Sequence, residues 1–156
     1  MAKITDHSPR RVPADEAVRA DTPRILSVIS ELRVRPRHCD AQGMMHALRY
    51  YEFFEDAFLD WLDGLGGYES LRRDGHDLVI KASGCEHHRP ARLDEVLAVE
   101  SAPARLGRTS LTMVFTMRYG DDLVAVGTIT YVCVRDGHAV PLPPVLTRHC
   151  RPNDGS

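Results

Sequence analysis

No apolar run in this 156-residue chain comes near the roughly 18 residues that cross a bilayer, which argues against a membrane-spanning helix. The first residues also lack the apolar stretch of about 7 to 15 residues at the heart of a secretory signal peptide. Together these absences predict a soluble, cytoplasmic protein that does not use membranes. Lysine is scarce, with Lys3 and Lys81 the only two, and the 20 basic residues are scattered rather than gathered. With a net charge of −2, no nucleic-acid or polybasic membrane footprint forms, so nucleic acid is not an expected partner. Cys39, Cys85, Cys133 and Cys150 show no CxxC spacing, and a chain of this length needs no disulfides for stability. Free thiols are expected. There is no internal repeat and no low-complexity tract.

What is present fits one domain between two poorly packed ends. Residues 1–24 mix Pro, Asp, Arg and Ala with isolated apolar side chains, too few to offset the entropy of ordering them, and read as a flexible arm. Residues 148–156 read as a flexible tail, leaving 25–147 as the domain. ILSVISELRVRPR alternates loosely and predicts a first strand that Pro36 breaks. A helix is then expected from about Met45 to Asp63. Its apolar face would carry Tyr50, Phe54, Phe58, Trp61, Leu62 and Leu65, its wet face Arg49, Glu52, Asp56, Asp60 and Asp63, and Gly64 would form a left-handed cap. A shorter helix is predicted around Tyr68–Arg73.

After Gly75 the period changes to two. DLVIKASGCEHHR, EVLAVESAPARL, TSLTMVFTMRY and LVAVGTITYVCVR read as strands, joined at RPARLD, LGR and YGDD into a meander. In the third of these, Leu111, Met113, Phe115, Met117 and Tyr119 share one face, as in a half-buried antiparallel strand. The class is α+β, with about five strands curling around one long helix. A sheet with one helix leaves apolar edge or face residues bare, so at least a dimer is expected.

The chemistry concentrates in HCDAQGMMH, residues 38–46. His38, Cys39, Asp40 and His46 are all possible metal ligands, as are His87 and His88, but adjacent residues on extended chain point apart and cannot easily converge. No metal site is expected. Cys39 with His46 could make a nucleophile and base, yet nothing in the sequence orients the imidazole. Asp40 before a glycine reads first as a turn or cap residue. Gly43 and the approach to a helix N-terminus add a second reading, because unpaired amides there can hold an anion or a developing oxyanion.

From Val34, VRPRHCDAQGMMHALRYYEFFEDA resembles the opening motif of the hotdog-fold acyl-CoA thioesterases of the 4-hydroxybenzoyl-CoA thioesterase family: a strand, an Asp, a Gly three residues on, then Tyr and Glu on the helix. HRPARLDEVLAVES, LGRTSLTMVFTMR, VAVGTITYVCV and PLPP resemble the family's later strands and ending, in order, over residues 28–147. The resemblance implies a curved antiparallel sheet wrapped around a central helix. It further implies hydrolysis of an acyl or aroyl thioester of coenzyme A or of an acyl carrier protein, by a homodimer or homotetramer with no cofactor.

By the same resemblance, Asp40 is the nucleophile or general base, and Gly43 with the amides of His46 and Ala47 lies on the oxyanion side. Tyr50 and Glu55 are support residues. Arg89, Arg92 and Arg108, in turns, are candidates for the phosphates of coenzyme A or pantetheine, and Met44, Met45, Met113 and Met117 for an adaptable acyl pocket. The chain departs from the family at His38, Met44, His46 and Ala47, where relatives often carry Asp, His and Asn or Tyr. Two other activities fit the same fold: a hydratase or dehydratase, and a non-catalytic acyl-thioester-binding protein.

Overall fold

The computed structural model describes residues 12–13 and 26–148; the expected arm and tail lie outside them, apart from 12–13 and Arg148. The chain order is β1 (Val12–Pro13), β2 (Val28–Arg33), a 3-10 turn (Pro36–His38), α1 (Arg49–Asp63), α2 (Tyr68–Arg73), β3 (Asp77–His87), β4 (Val96–Leu106), β5 (Ser110–Tyr119), β6 (Asp122–Arg135), β7 (His138–Ala139) and α3 (Pro144–Thr147). Five long strands form the expected antiparallel sheet, with β1 and β7 as two-residue additions. The 15-residue α1 is about 22 Å long, while the 14-residue β6 would extend to about 46 Å. The sheet therefore wraps the helix, giving the hotdog fold.

The core is where helix and sheet meet. Phe53, Phe54, Ala57, Phe58, Trp61 and Leu62 of α1 are buried, together with Leu111, Met113, Phe115 and Met117 of β5 at the predicted period of two. Tyr119, expected on that face, is 42% exposed at the strand end. Gly127 sets the closest approach, since a Cβ there would lie 2.4 Å from the Phe54 ring. That ring stacks on Phe115 at 5.3 Å and cannot retreat freely.

Four expectations need correction. The strand order is β1-β2-β4-β5-β6-β3, so only β4, β5 and β6 form a meander, and β3 pairs with β6 at the far edge. The connection over residues 88–95 is longer than the roughly two to five residues of a tight hairpin and crosses the domain to brace the 38–46 segment. The helix starts at Arg49 rather than Met45, because the residues before it fold as a hairpin. Gly64 stays right-handed at φ −63°, and the chain turns left-handed only at Gly66 and Gly67. Asp60 is buried rather than wet, accepting a hydrogen bond from the Ser30 hydroxyl of β2 at 2.6 Å.

A bulge at Lys81 changes the facing of β3. Ile80 lies opposite Tyr131, but the next pairs are Ala82 with Thr130 and Ser83 with Ile129. One residue is skipped, so Leu78, Ile80, Ser83, Cys85 and His87 share the inward parity of β6.

Candidate active site

Residues 38–46 fold as a narrow hairpin. The amide of His46 donates to the carbonyl of His38 (2.9 Å), Cys39 bridges Met45, and the amide of Asp40 donates to the carbonyl of Met44 (2.9 Å). At the tip, the amide of Gly43 donates back to the Asp40 carbonyl at 3.1 Å, and Gly43 takes φ +75°, which glycine adopts without strain. The Asp40 side chain completes the turn, its Oδ1 accepting from the amides of Gln42 (2.8 Å) and Met44 (3.2 Å). Both readings of this residue meet here. It is a turn aspartate, and it is also exposed, with Oδ2 taking no hydrogen bond from any described residue.

The long β3–β4 connection holds the hairpin from behind. Met44 bridges Arg92, the amide of Met45 donates to the carbonyl of Ala91 (2.7 Å), and the amide of Leu93 donates to the carbonyl of Gly43 (2.9 Å). Tyr50 anchors this layer: its buried hydroxyl accepts the amide of Ala91 at 3.0 Å, and its ring meets His87 edge-on at 4.6 Å. Tyr50 thus supports Asp40 at one remove, through Ala91 and Met45.

Other expected roles change. Gly43 and His46 spend their amides inside the hairpin, so neither supplies an oxyanion donor; of the proposed set, only the Ala47 amide has no partner among the described residues. His46 is exposed, and its Nδ1 accepts the amide of Leu48 at 3.3 Å while its carbonyl accepts that of Arg49 at 2.9 Å. The imidazole therefore helps start α1, whose N-cap Leu48 has no capping side chain. His38 is buried, with Nδ1 accepting the Arg35 amide at 2.9 Å; burial and then the neighbouring Arg37 charge lower its pKa. Burial and then the Asp40 carboxylate push the Cys39 thiol up, away from the thiolate a nucleophile needs.

Among the three arginines, Arg89 is removed as a phosphate ligand. It donates bidentately to Glu95 at 3.1 and 2.9 Å and lies over the Tyr119 ring, and the hydrogen bond to Glu95 raises its pKa. Glu95 also caps the Arg92 amide at 2.6 Å. Burial opposes its charge, but the hydrogen bonds from Arg89 and the Arg92 amide prevail and hold its pKa below the ordinary value. Arg108 follows β4 at the end of the strand away from the Asp40 hairpin of the same chain. Arg92 remains, exposed and directly behind Met44. Among the described residues, no three His, Cys, Asp or Glu side chains converge on a possible metal position.

A cavity of about 620 Å³ lies between α1 and the β3 edge, lined by Glu55 and Phe58 of α1, Ile80 and Ser83 of β3, and Ile129 and Tyr131 of β6, among others. Glu55 is thereby given a surface to act on. Of the four candidate methionines, Met45, Met113 and Met117 are buried in the core, and Met44 is half-buried in the hairpin. Tyr131 was missed in the sequence. Its alternation with Cys133 and Ile129 marks it as inward, but only the position of β3 shows that inward means a cavity. A second hollow, of about 460 Å³, lies beside the hairpin between Arg37, Cys39, His46 and Arg49.

A profile of the thioesterase-like superfamily matches residues 34–149. The chain belongs to the thioesterase-like superfamily. The long-chain acyl-CoA thioesterase FadM of Escherichia coli is 28% identical over 107 residues, 67% of this chain and 81% of that protein. A crystal structure of a hypothetical protein from Aquifex aeolicus superposes with a TM-score of 0.75 at 27% identity, covering 79% of this chain and 98% of that one. A 1,4-dihydroxy-2-naphthoyl-CoA thioesterase from Synechocystis shares the fold with a TM-score of 0.73 at 16% identity, covering 79% and 94%. Thioester hydrolysis is therefore the activity to which the geometry of this thioesterase must answer. No helix among its described residues is long and apolar enough to cross a membrane.

Proposed function

We propose that this thioesterase hydrolyses acyl or aroyl thioesters of coenzyme A, or of a carrier-protein pantetheine, with Asp40 as the reacting carboxylate. The observation that carries this reading is the division of labour within that carboxylate. Asp40 is exposed; its Oδ1 is fixed by two backbone amides, while Oδ2 accepts no hydrogen bond from any described residue. A group held in this way loses little freedom when it reacts.

Two routes use the same oxygen. In one, Oδ2 bonds to the thioester carbonyl carbon, the C–S bond breaks, and thiolate leaves; water then splits the mixed anhydride into acid and regenerated Asp40. In the other, Oδ2 takes a proton from water as the water oxygen attacks the same carbon, and the departing thiolate collects that proton. Hydroxylamine trapping of an Asp40 hydroxamate during turnover separates the routes. In either case the carbonyl oxygen gains charge, which the Ala47 amide is free to meet. The acyl group extends into the cavity beside Glu55, and Arg92 meets the phosphates.

The protein acts as at least a homodimer. β3 is an edge strand in which Val79 is 47% and Ile80 60% exposed, and a second copy would cover both edge and cavity wall. Light scattering reads the assembly. The activity is tested by free-thiol release from a panel of acyl-CoA and acyl-carrier substrates, with Asp40→Asn alongside the parent. Release that Asp40→Asn abolishes supports the reading, and full activity in that variant removes Asp40. Tight ligand binding without thiol release would identify a binding protein instead.

A further inference from the structure

One buried ring ties down the approach to the Asp40 hairpin. Arg35, extended before Pro36 at φ −101° and ψ 162°, opens the 3-10 turn, and His38 closes it twice. The amide of His38 donates to the Arg35 carbonyl at 2.9 Å, and its Nδ1 accepts the Arg35 amide at 2.9 Å. The His38 carbonyl then accepts the His46 amide at 2.9 Å, the bond at the base of the hairpin. A single residue therefore holds both the turn and the hairpin that grows from it. Phe53 of α1 meets the ring edge-on at 5.0 Å, and His38 is only 5% exposed. Because Nδ1 accepts a hydrogen bond, the proton of the neutral ring lies on Nε2.

We propose that His38 is a positioning residue for Asp40, whose neutral imidazole locks the hairpin and whose protonation at Nδ1 unlocks it, so that thioesterase activity falls reversibly in mild acid. The added proton turns Nδ1 from acceptor to donor, so two N–H groups then face each other and the bond to Arg35 is lost. The charged ring is also poorly placed. Arg35 and Arg37 on its own turn and Arg49 of α1 oppose its charge, and Glu52 of α1 favours it. Burial, and then Arg37, hold its pKa below 6.5. The unfolded chain thus binds this proton more readily than the folded one, and the lock is complete above 6.5 and lost as pH falls through the lower folded value. Cys39 and His46 line the hollow beside the ring, but the Nδ1 of His46 takes the Leu48 amide and so serves the start of α1, not the hairpin base.

This inference rests on Asp40 being the reacting carboxylate, so the experiment has two arms. In the first, the full chain is titrated by NMR from about pH 8 to about 5.5, a span that brackets imidazole titration and stays above the ordinary carboxylate range. The His38 ring nitrogens and the Arg35 and His46 amides are followed together. In the second, kcat and KM for thiol release from benzoyl-CoA and hexanoyl-CoA are measured over the same span in the parent and in two variants. His38→Asn places Oδ1 where Nδ1 stood and accepts the Arg35 amide without titrating; His38→Phe fills the space and accepts nothing. The ring should take its proton below 6.5 as both amides shift, with a fall in kcat of about ten- to a hundredfold and little change in KM. His38→Phe should be slower than the parent at every pH. His38→Asn should recover part of that loss and show no acid fall, while His46→Asn should keep the fall. If His38→Asn fails to fold, the titration of the parent decides. An acid fall that survives in His38→Asn, or a ring that is protonated while both amides stay in place, overturns the proposal. Amides that follow the ring, with no thiol released from any thioester of the panel, would uphold the lock and remove the reaction assigned to Asp40.

Discussion

The Asp40 hairpin and the α1–β3 cavity are built from different materials. Backbone hydrogen bonds fix the hairpin almost entirely: His46 to His38, Asp40 to Met44, Gly43 to Asp40, Met45 to Ala91 and Leu93 to Gly43. Side chains define the cavity, with Phe58 and Tyr131 stacked on each other in its lining. Side-chain substitutions should therefore change what the cavity accepts while leaving the hairpin's shape intact. Few substitutions other than those at Asp40 and Gly43 should disturb the hairpin.

The largest expected effect is at Asp40. Asp40→Asn keeps an oxygen for the Gln42 and Met44 amides but loses the anion, so kcat/KM should fall by about 10²- to 10⁴-fold with an unchanged circular dichroism spectrum and assembly. Next is Gly127→Ala, which drives a methyl group into the Phe54 ring; a loss of about 1–3 kcal/mol is expected from denaturant titration. Phe54→Leu in the same chain should recover part of it, and no recovery would place the clash elsewhere. Tyr50→Phe leaves the buried Ala91 amide unmet, at a cost of about 1–3 kcal/mol. Unlike Gly127→Ala, it should reach the hairpin and lower kcat.

A smaller effect comes from Glu95, whose pKa is held below the ordinary glutamate value of 4.5. The unfolded chain thus binds the proton more readily than the folded one. The stabilisation is complete above the unfolded value and fades as pH falls through the lower folded value. Glu95→Gln should flatten the acid side of a plot of Tm against pH, whereas an unchanged slope would show that the Arg89–Glu95 pair does not couple to folding. The smallest effect is at Cys39, where Cys39→Ser should keep most activity; a dead variant would return the thiol to the chemistry.

Local pattern made part of this legible. The alternation in β5 fixed its buried face because each residue there answers to one neighbouring layer, and the Asp40–Gly43 spacing marked the turn. What was hidden depended on distant partners. Asp60 looks wet until Ser30 arrives from β2, Arg89 looks available until the chain folds Glu95 beneath it, and Met45 to Leu48 read as helix until Ala91 captures the Met45 amide. Strand order was hidden too, since period two gives a strand's faces and not its neighbours. For that reason the cavity and Tyr131 were found only in the structure.

The extra residue at Lys81 works like a frameshift within the folded chain. On its Ile80 side the strand shows the cavity one set of side chains; beyond it, the displaced count presents Ser83, Cys85 and His87 in place of Ala82, Gly84 and Glu86. Were Lys81 instead paired in regular register with Thr130, an alanine would replace the serine in the cavity wall and a carboxylate the imidazole against Tyr50. The one skipped residue thus decides which half of this strand the cavity meets, without involving any residue of the reacting hairpin.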